Sequence, residues 1–314
     1  MMVIRIFIAL LFISSTVAAD HPKPLDGHSV IRAKAGNSEI VITTTSRTAG
    51  AIHSLTWNGK EFIDSFDHGR QLQSASNLDC GNMNYFSETF NPTEAGSRSD
   101  GAGEKSTSKL LKIKASGNLL ETTNQMAFWL KPNEKSDGHP ALNKKMLSDH
   151  LISKRVSIGY KSFPHAVDYE VVFTLPKGEH LTYAQFEALT GYMPSEFSRF
   201  WRFLPDTGKL AELDDGPGEQ NKPVILATPN GSHAMGIFSP DQPSSGYAQA
   251  GYGRWRFNAE KVVKWNCVFR IRDPKGVAGG EYKYRCFVIV GSLDDVKETL
   301  AGLHGEFKVL NQRK

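Results

Sequence analysis

From Ser29 onward the sequence is a succession of β-branched and alternating runs separated by turn residues, and this rhythm excludes most fold classes. Ser38-Glu39-Ile40-Val41-Ile42-Thr43-Thr44-Thr45 is one run. Gly50-Ala51-Ile52-His53-Ser54-Leu55-Thr56-Trp57 is another, followed at once by Asn58-Gly59, the dipeptide suited to a two-residue hairpin, with Lys60 to Asp64 as the return strand. Leu110 to Ala115, Thr122 to Leu130, Val224 to Thr228 and Ala234 to Phe238 also read as strands. Leu151 to Tyr160 and Val167 to Leu175 form an antiparallel pair joined near Phe163-Pro164. Leu181 to Leu189 fits either period, and its aromatic residues and Thr182 favour strand. The one helix comes last: Ser292 with Asp295 makes a capping box, and Leu293, Val296, Leu300 and Leu303 recur at helical spacing. Many strands with a single late helix predict an all-β fold, a large antiparallel β-sandwich or supersandwich with one C-terminal helix.

Met1 to Ala19 has the form of a secretory signal peptide. Arg5 supplies the positive start, Ile6 to Ile13 is an unbroken apolar run, and Val17-Ala18-Ala19 is a small-residue cleavage site. No second long apolar run follows, so a secreted or periplasmic protein is expected, with no membrane insertion after cleavage. Residues 20–314 carry no Pro/Ser-rich linker and no clear repeat, which favours one sandwich domain. Lys plus Arg number 37 against 33 for Asp plus Glu, and they are interspersed without a basic stripe, so a nucleic-acid partner is not expected. No His-x-His, His-x₃-His or Asp-rich calcium loop occurs, and no metal or cofactor is expected. The Gly-x-Ser-x-Gly pattern of serine hydrolases is missing.

Three cysteines occur: Cys80, Cys267 and Cys286. Trp265 to Ile271 and Tyr282 to Val288 alternate as strands around the turn Asp273 to Gly280. A symmetric hairpin about that turn sets Cys267 opposite Cys286, near disulfide range. A bond formed on export and two buried thiols are the two readings open at this point.

Residues 64–104 show no periodicity but are dense in hydrogen-bonding groups, with Phe66, Tyr85, Phe86 and Phe90 among them. Disordered segments are poor in aromatic residues, so this stretch reads as a binding surface for a polar ligand. In Asp67-His68-Gly69-Arg70-Gln71, His68 suits acid/base work and Arg70 offers a planar fork; a loop salt bridge from Asp67 to Arg70 is the alternative. Asn91-Pro92-Thr93-Glu94-Ala95-Gly96 holds a carboxylate on a rigid turn, with Glu88 as a second acid; turn stabilisation is the competing role. Tyr192-Met193-Pro194, Phe200-Trp201-Arg202 and Tyr252-Gly253-Arg254-Trp255 are aromatic clusters, which fit a sugar pocket or a core of aromatic strands. His233 beside Gly231-Ser232 is a further acid or base.

The segment Ala51-Ile52-His53-Ser54-Leu55-Thr56-Trp57-Asn58-Gly59-Lys60-Glu61-Phe62-Ile63 resembles an early hairpin of the galactose mutarotase-like superfamily, a β-supersandwich family. The resemblance is architectural and implies a carbohydrate ligand in the groove of a concave sheet. The sugar epimerases of that superfamily carry a His ahead of Tyr-Phe-Asn, whereas this chain reads Asn82-Met83-Asn84-Tyr85-Phe86-Ser87, without the His. The expected function is a secreted carbohydrate-active protein acting on a poly- or oligosaccharide, by lyase, hydrolase or epimerase-type chemistry. His68 and Glu94 would transfer protons, and Arg70, Gln71, Asn91, Arg98, Trp201, Arg202 and Trp255 would bind substrate. The alternatives are a non-catalytic carbohydrate-binding module or a structural envelope protein.

Overall fold

A computed structural model describes residues 25–81, 85–244 and 250–312. The apolar leader and Asn82 to Asn84 lie outside the described residues. One 19-stranded antiparallel sheet folds over into two layers, and a single helix, Leu293–Gln312, follows the last strand. In the first layer Lys109–Ser116, Leu119–Phe128, Leu147–Tyr160, Phe163–Leu175, Gly280–Gly291, Ala234–Phe238, Val224–Ala227 and Arg199–Leu204 pair in that order. In the second, Ser29–Ala35, Ser38–Thr44, Ile52–Trp57, Leu72–Leu78, Tyr183–Pro194, Val262–Arg272 and Tyr252–Phe257 do so. The two-residue strand Pro92–Thr93 pairs with both layers and closes one edge.

Why these segments are strands is visible in their burial. Along Leu147–Tyr160 every second side chain is buried from Ser148 to Ile158, the period of a half-buried strand. In Phe163–Leu175 and Gly280–Gly291 the alternation gives way to continuous burial at 165–169 and 286–291, where the C-terminal helix covers the outer face of the layer. Ile152, Val156, Tyr169, Val171 and Val288 meet Phe186, Leu189, Val263 and Trp265 in the core between the layers. Val296, Leu300 and Leu303 are fully buried against the first layer, at about 1.5–3 kcal/mol each. The capping box forms: Ser292 N donates to Asp295 Oδ2 at 2.9 Å, and Asp295 N to Ser292 Oγ at 3.2 Å.

Two expectations change. The segment 64–104 contains a buried central strand, Leu72–Leu78, whose Gln, Ser and Asn residues hide it from period-2 reading. Nor do the cysteine strands form a hairpin. Cys267 lies opposite Leu189 and Tyr252 in the second layer, and Cys286 opposite Tyr169 in the first, because the chain crosses between layers after the turn. The two cysteines are free thiols in the core. Burial pushes the Cys267 thiol up, and the neighbouring Cys286 adds to that shift.

Candidate functional site

The second layer turns one face to the core and the other to a pocket of about 160 Å³. Its floor is built from Leu72–Leu78 and Tyr183–Pro194, with Lys264 contributed by the next strand. Alternation along Leu72–Leu78 sends Leu72, Ser74 and Leu78 to the core and Gln73, Ala75 and Asn77 to the pocket. On Tyr183–Pro194 a β-bulge changes the count. Glu187 lies opposite Ala75 and Val268, while Thr190 lies opposite Gln73 and Asn266, so Ala188 and Leu189 both turn inward. Strict alternation would put Leu189 on the pocket face. The bulge instead puts Thr190 there, where its hydroxyl donates to Glu187 Oε2 at 2.7 Å.

Glu187 and Lys264 form an ion pair at 3.4 Å, with side-chain exposures of 15% and 13%. Burial pushes the Glu187 carboxyl up. The Lys264 ammonium and hydrogen bonds from Thr190, Lys264 and Asn266 outweigh it and hold the carboxyl below the usual glutamate range. Burial pulls Lys264 down, and Glu187 with Tyr192 more than reverses this, leaving the ammonium above its ordinary value. Its charge lies 5.1 Å from the centre of the Tyr192 ring and 5.0 Å from that of Trp255.

The opposite wall comes from Asn91, Thr93, Trp129 and the Ser87-Glu88 loop. Asn91 Nδ2 donates to Ser76 O at 2.6 Å, and Glu88 N donates to Asn77 Oδ1 at 3.1 Å, so wall and floor are tied together. Glu88 has φ +67° and accepts from Ser136 Oγ at 2.7 Å. Gly69 gives Trp129 its place: a Cβ there would lie 2.8 Å from the indole Cη2.

Of the residues singled out in the sequence, Glu88, Asn91 and Tyr192 line the pocket and Trp255 stands beside Lys264. The others lie elsewhere. His68 is 1% exposed, with Nδ1 2.7 Å from Gly101 O and Nε2 2.7 Å from Arg47 O. Glu94 is fully buried beneath the floor, paired with Lys154 and accepting from Ser74 N at 3.1 Å. Arg70 bridges to Asp67 at 3.1 Å and stands 5.4 Å over Phe66. Gln71 Nε2 donates to Asp67 O at 2.5 Å. Arg98 binds Glu134 at 2.7 Å and reaches the rim, 3.9 Å from Glu88. Trp201 packs on the cluster under the C-terminal helix, and Arg202 is exposed on the same strand. His233 Nδ1 lies 2.9 Å from Ser232 Oγ, with the ring 5.7 Å from Trp57. Among the described residues no group of His, Cys, Asp and Glu is arranged to hold a metal.

Glu187, Thr190 and Lys264 escaped the sequence reading because each sits in an unremarkable strand. A signal was present: Phe186-Glu187-Ala188-Leu189 and Val262-Val263-Lys264-Trp265 each carry one charge inside an otherwise apolar run.

No protein-family model and no curated protein matches the chain in sequence. Among solved structures it is similar to the Slr1438 protein of Synechocystis, at 9% identity over 89% of this chain and 100% of that one, with a TM-score of 0.44. It is also similar to an α-mannosidase from Enterococcus faecalis, at 11% identity, 84% and 30% coverage and a TM-score of 0.45. A third is a mutant heparan sulfate lyase from Pedobacter heparinus, at 10% identity, 85% and 35% coverage and a TM-score of 0.41. The chain thus spans about a third of the mannosidase and of the lyase.

Proposed function

We propose that this is an exported carbohydrate-binding protein that seats one sugar ring of a poly- or oligosaccharide in the pocket over Glu187. The observation that carries the proposal is the composition of that one small cavity. Amides of Gln73, Asn77 and Asn91, hydroxyls of Ser87, Thr93 and Thr190, and an ionised carboxylate stand beside Trp129 and Tyr192. Hydroxyl groups require such donors and acceptors, and the C–H face of a sugar packs on rings. The resemblance of the early hairpin to the galactose mutarotase-like superfamily agrees with a ligand on a concave sheet, and the apolar leader agrees with export.

Binding without turnover is favoured because the charged groups of the floor are set away from neutral proton exchange. Glu187 is held down and Lys264 is pushed up, whereas a general base works best with a pKa near the ambient pH. The catalytic reading has its own observation. Glu88 and Glu187 are two carboxylates in one pocket, and Glu88 holds a left-handed conformation uncommon outside glycine and frequent at active sites.

The test is calorimetric titration of the protein with a panel of polysaccharides and their oligomers, beside assays for new reducing ends and unsaturated products. Binding abolished by Glu187→Ala, without product, is the expected result. Product formation lost in both Glu88→Gln and Glu187→Gln establishes catalysis instead. No binding across the panel leaves a structural envelope role.

A further inference from the structure

Among the described residues, four cations in and near the pocket are paired with the protein's own carboxylates. Lys264 faces Glu187 at 3.4 Å. Arg270, on the same face and strand, donates to Glu219 at 2.6 Å and to Gln185 at 2.8 Å. Arg98 at the rim is paired with Glu134 and approaches Glu88, and Arg70 is paired with Asp67. The described pocket lining itself holds two carboxylates, Glu88 and Glu187, against one ammonium, Lys264, a formal charge of −1.

Resting on the saccharide reading above, we infer that the pocket takes an uncharged saccharide and rejects uronate and sulfated sugars. A carboxylate or sulfate is recognised best by an unengaged guanidinium fork or ammonium. Here an anionic sugar must either break the Glu187–Lys264 pair or lie beside Glu88 as a like charge. Each route costs affinity in a partly desolvated cleft, where charge complementarity sets specificity. An uncharged sugar leaves the pair intact. Its hydroxyls can donate to Glu187 and accept from the amides of Asn77 and Asn91, which suit neutral partners.

The experiment compares neutral oligomers (manno-, gluco- and galacto-oligosaccharides) with oligogalacturonates and heparin oligosaccharides, by calorimetry at physiological ionic strength. The wild type is expected to bind at least one neutral series at least about tenfold more tightly than any acidic one. Glu187→Gln frees the Lys264 ammonium, so that ratio should fall at least about tenfold. If Glu187→Gln does not fold, Glu88→Gln gives the second arm: it removes one carboxylate and leaves the pair, and it too should lower the ratio. A wild type that prefers uronate or sulfated oligomers overturns the charge inference while keeping the saccharide reading. A protein that binds neither series overturns the saccharide reading and this inference with it. A ratio unmoved by both substitutions also overturns it, since some other feature would then set the selectivity.

Discussion

Lys154→Met offers a sharp test of how the floor of the pocket is held. Lys154 and Glu94 have side-chain exposures of 1% and 0% and pair in the core between the layers. Glu94 Oε2 also accepts from Ser74 N, and Ser74 Oγ donates 2.7 Å to the carbonyl of Ala188, the bulge residue. Removing the ammonium leaves a buried carboxylate with one backbone N–H for company. Breaking a buried pair from one side costs about 3–5 kcal/mol, against a total domain stability of about 5–15 kcal/mol. For about 290 residues, at about 2.1 cal/mol/K of unfolding entropy per residue, that is a fall of roughly 5–8 °C in Tm. The double variant Lys154→Met/Glu94→Gln keeps an acceptor for Ser74 N and removes the stranded charge, so it should recover at least about half of the loss. Urea unfolding of the wild type, both single variants and the double variant gives the coupling energy. A Lys154→Met protein within about 1 kcal/mol of wild type would refute the reasoning, because the carboxylate could not then be both charged and buried. If the folded double variant lost sugar binding outright, Glu94 would belong to the ligand and not to the scaffold.

Arg70→Ala should lower stability by about 1 kcal/mol or less through loss of its bridge to Asp67, with ligand affinity unchanged once the folded fraction is accounted for; thermal melts beside titration check it. Gly69→Ala should push the Trp129 ring toward the cavity and weaken binding at least about tenfold, and the shift should show in tryptophan fluorescence. Glu187 has its carboxyl held below the ordinary glutamate value, so its stabilising contribution is complete above that value and is lost only as pH falls through the folded-state pKa. Affinity should accordingly be flat from about pH 5 to 8 and drop in acid, and a loss centred near neutrality would contradict the assignment. Burial, with Glu179 and Asp79 nearby, pushes the Cys80 thiol up to about 12, so its alkylation in the native state should be slow at pH 8 and speed up on unfolding; fast labelling would count against its burial.

The strands and the last helix were legible because their side chains obey simple periods, as in Leu147–Tyr160 and in the run from Leu293 to Leu303. The pocket was much less so. Its floor strand, Leu72–Leu78, carries polar residues on both faces, one set serving the pocket and the other a buried network through Ser74, so no apolar stripe marks it. The bulge at Ala188 reassigns Thr190 from core to cleft, and a one-residue slip of that kind leaves no mark in composition. His68 and Glu94 drew attention as reactive types in a polar stretch, yet the groups that surround them come from residues distant in sequence, such as Arg47, Gly101 and Lys154. The expected cysteine hairpin does not form, since the length of a turn does not say whether the next strand returns to its neighbour or crosses to the opposite layer.

The route by which the floor is assembled has a consequence for when the pocket becomes complete. Ser74 and Ala188 meet across 114 residues of chain, and Lys264 must arrive later still before the pocket is whole. Contacts of such sequence separation form slowly, because the entropy of closing the intervening loop is lost before any pairing compensates. No proteolytic fragment ending before Lys264 carries the complete lining, and a chain under synthesis holds no complete pocket until Lys264 has emerged. Completion of the pocket therefore follows the pairing of strands far apart in the chain, and a ligand held there would report that Leu72–Leu78, Tyr183–Pro194 and the strand of Lys264 have all come together.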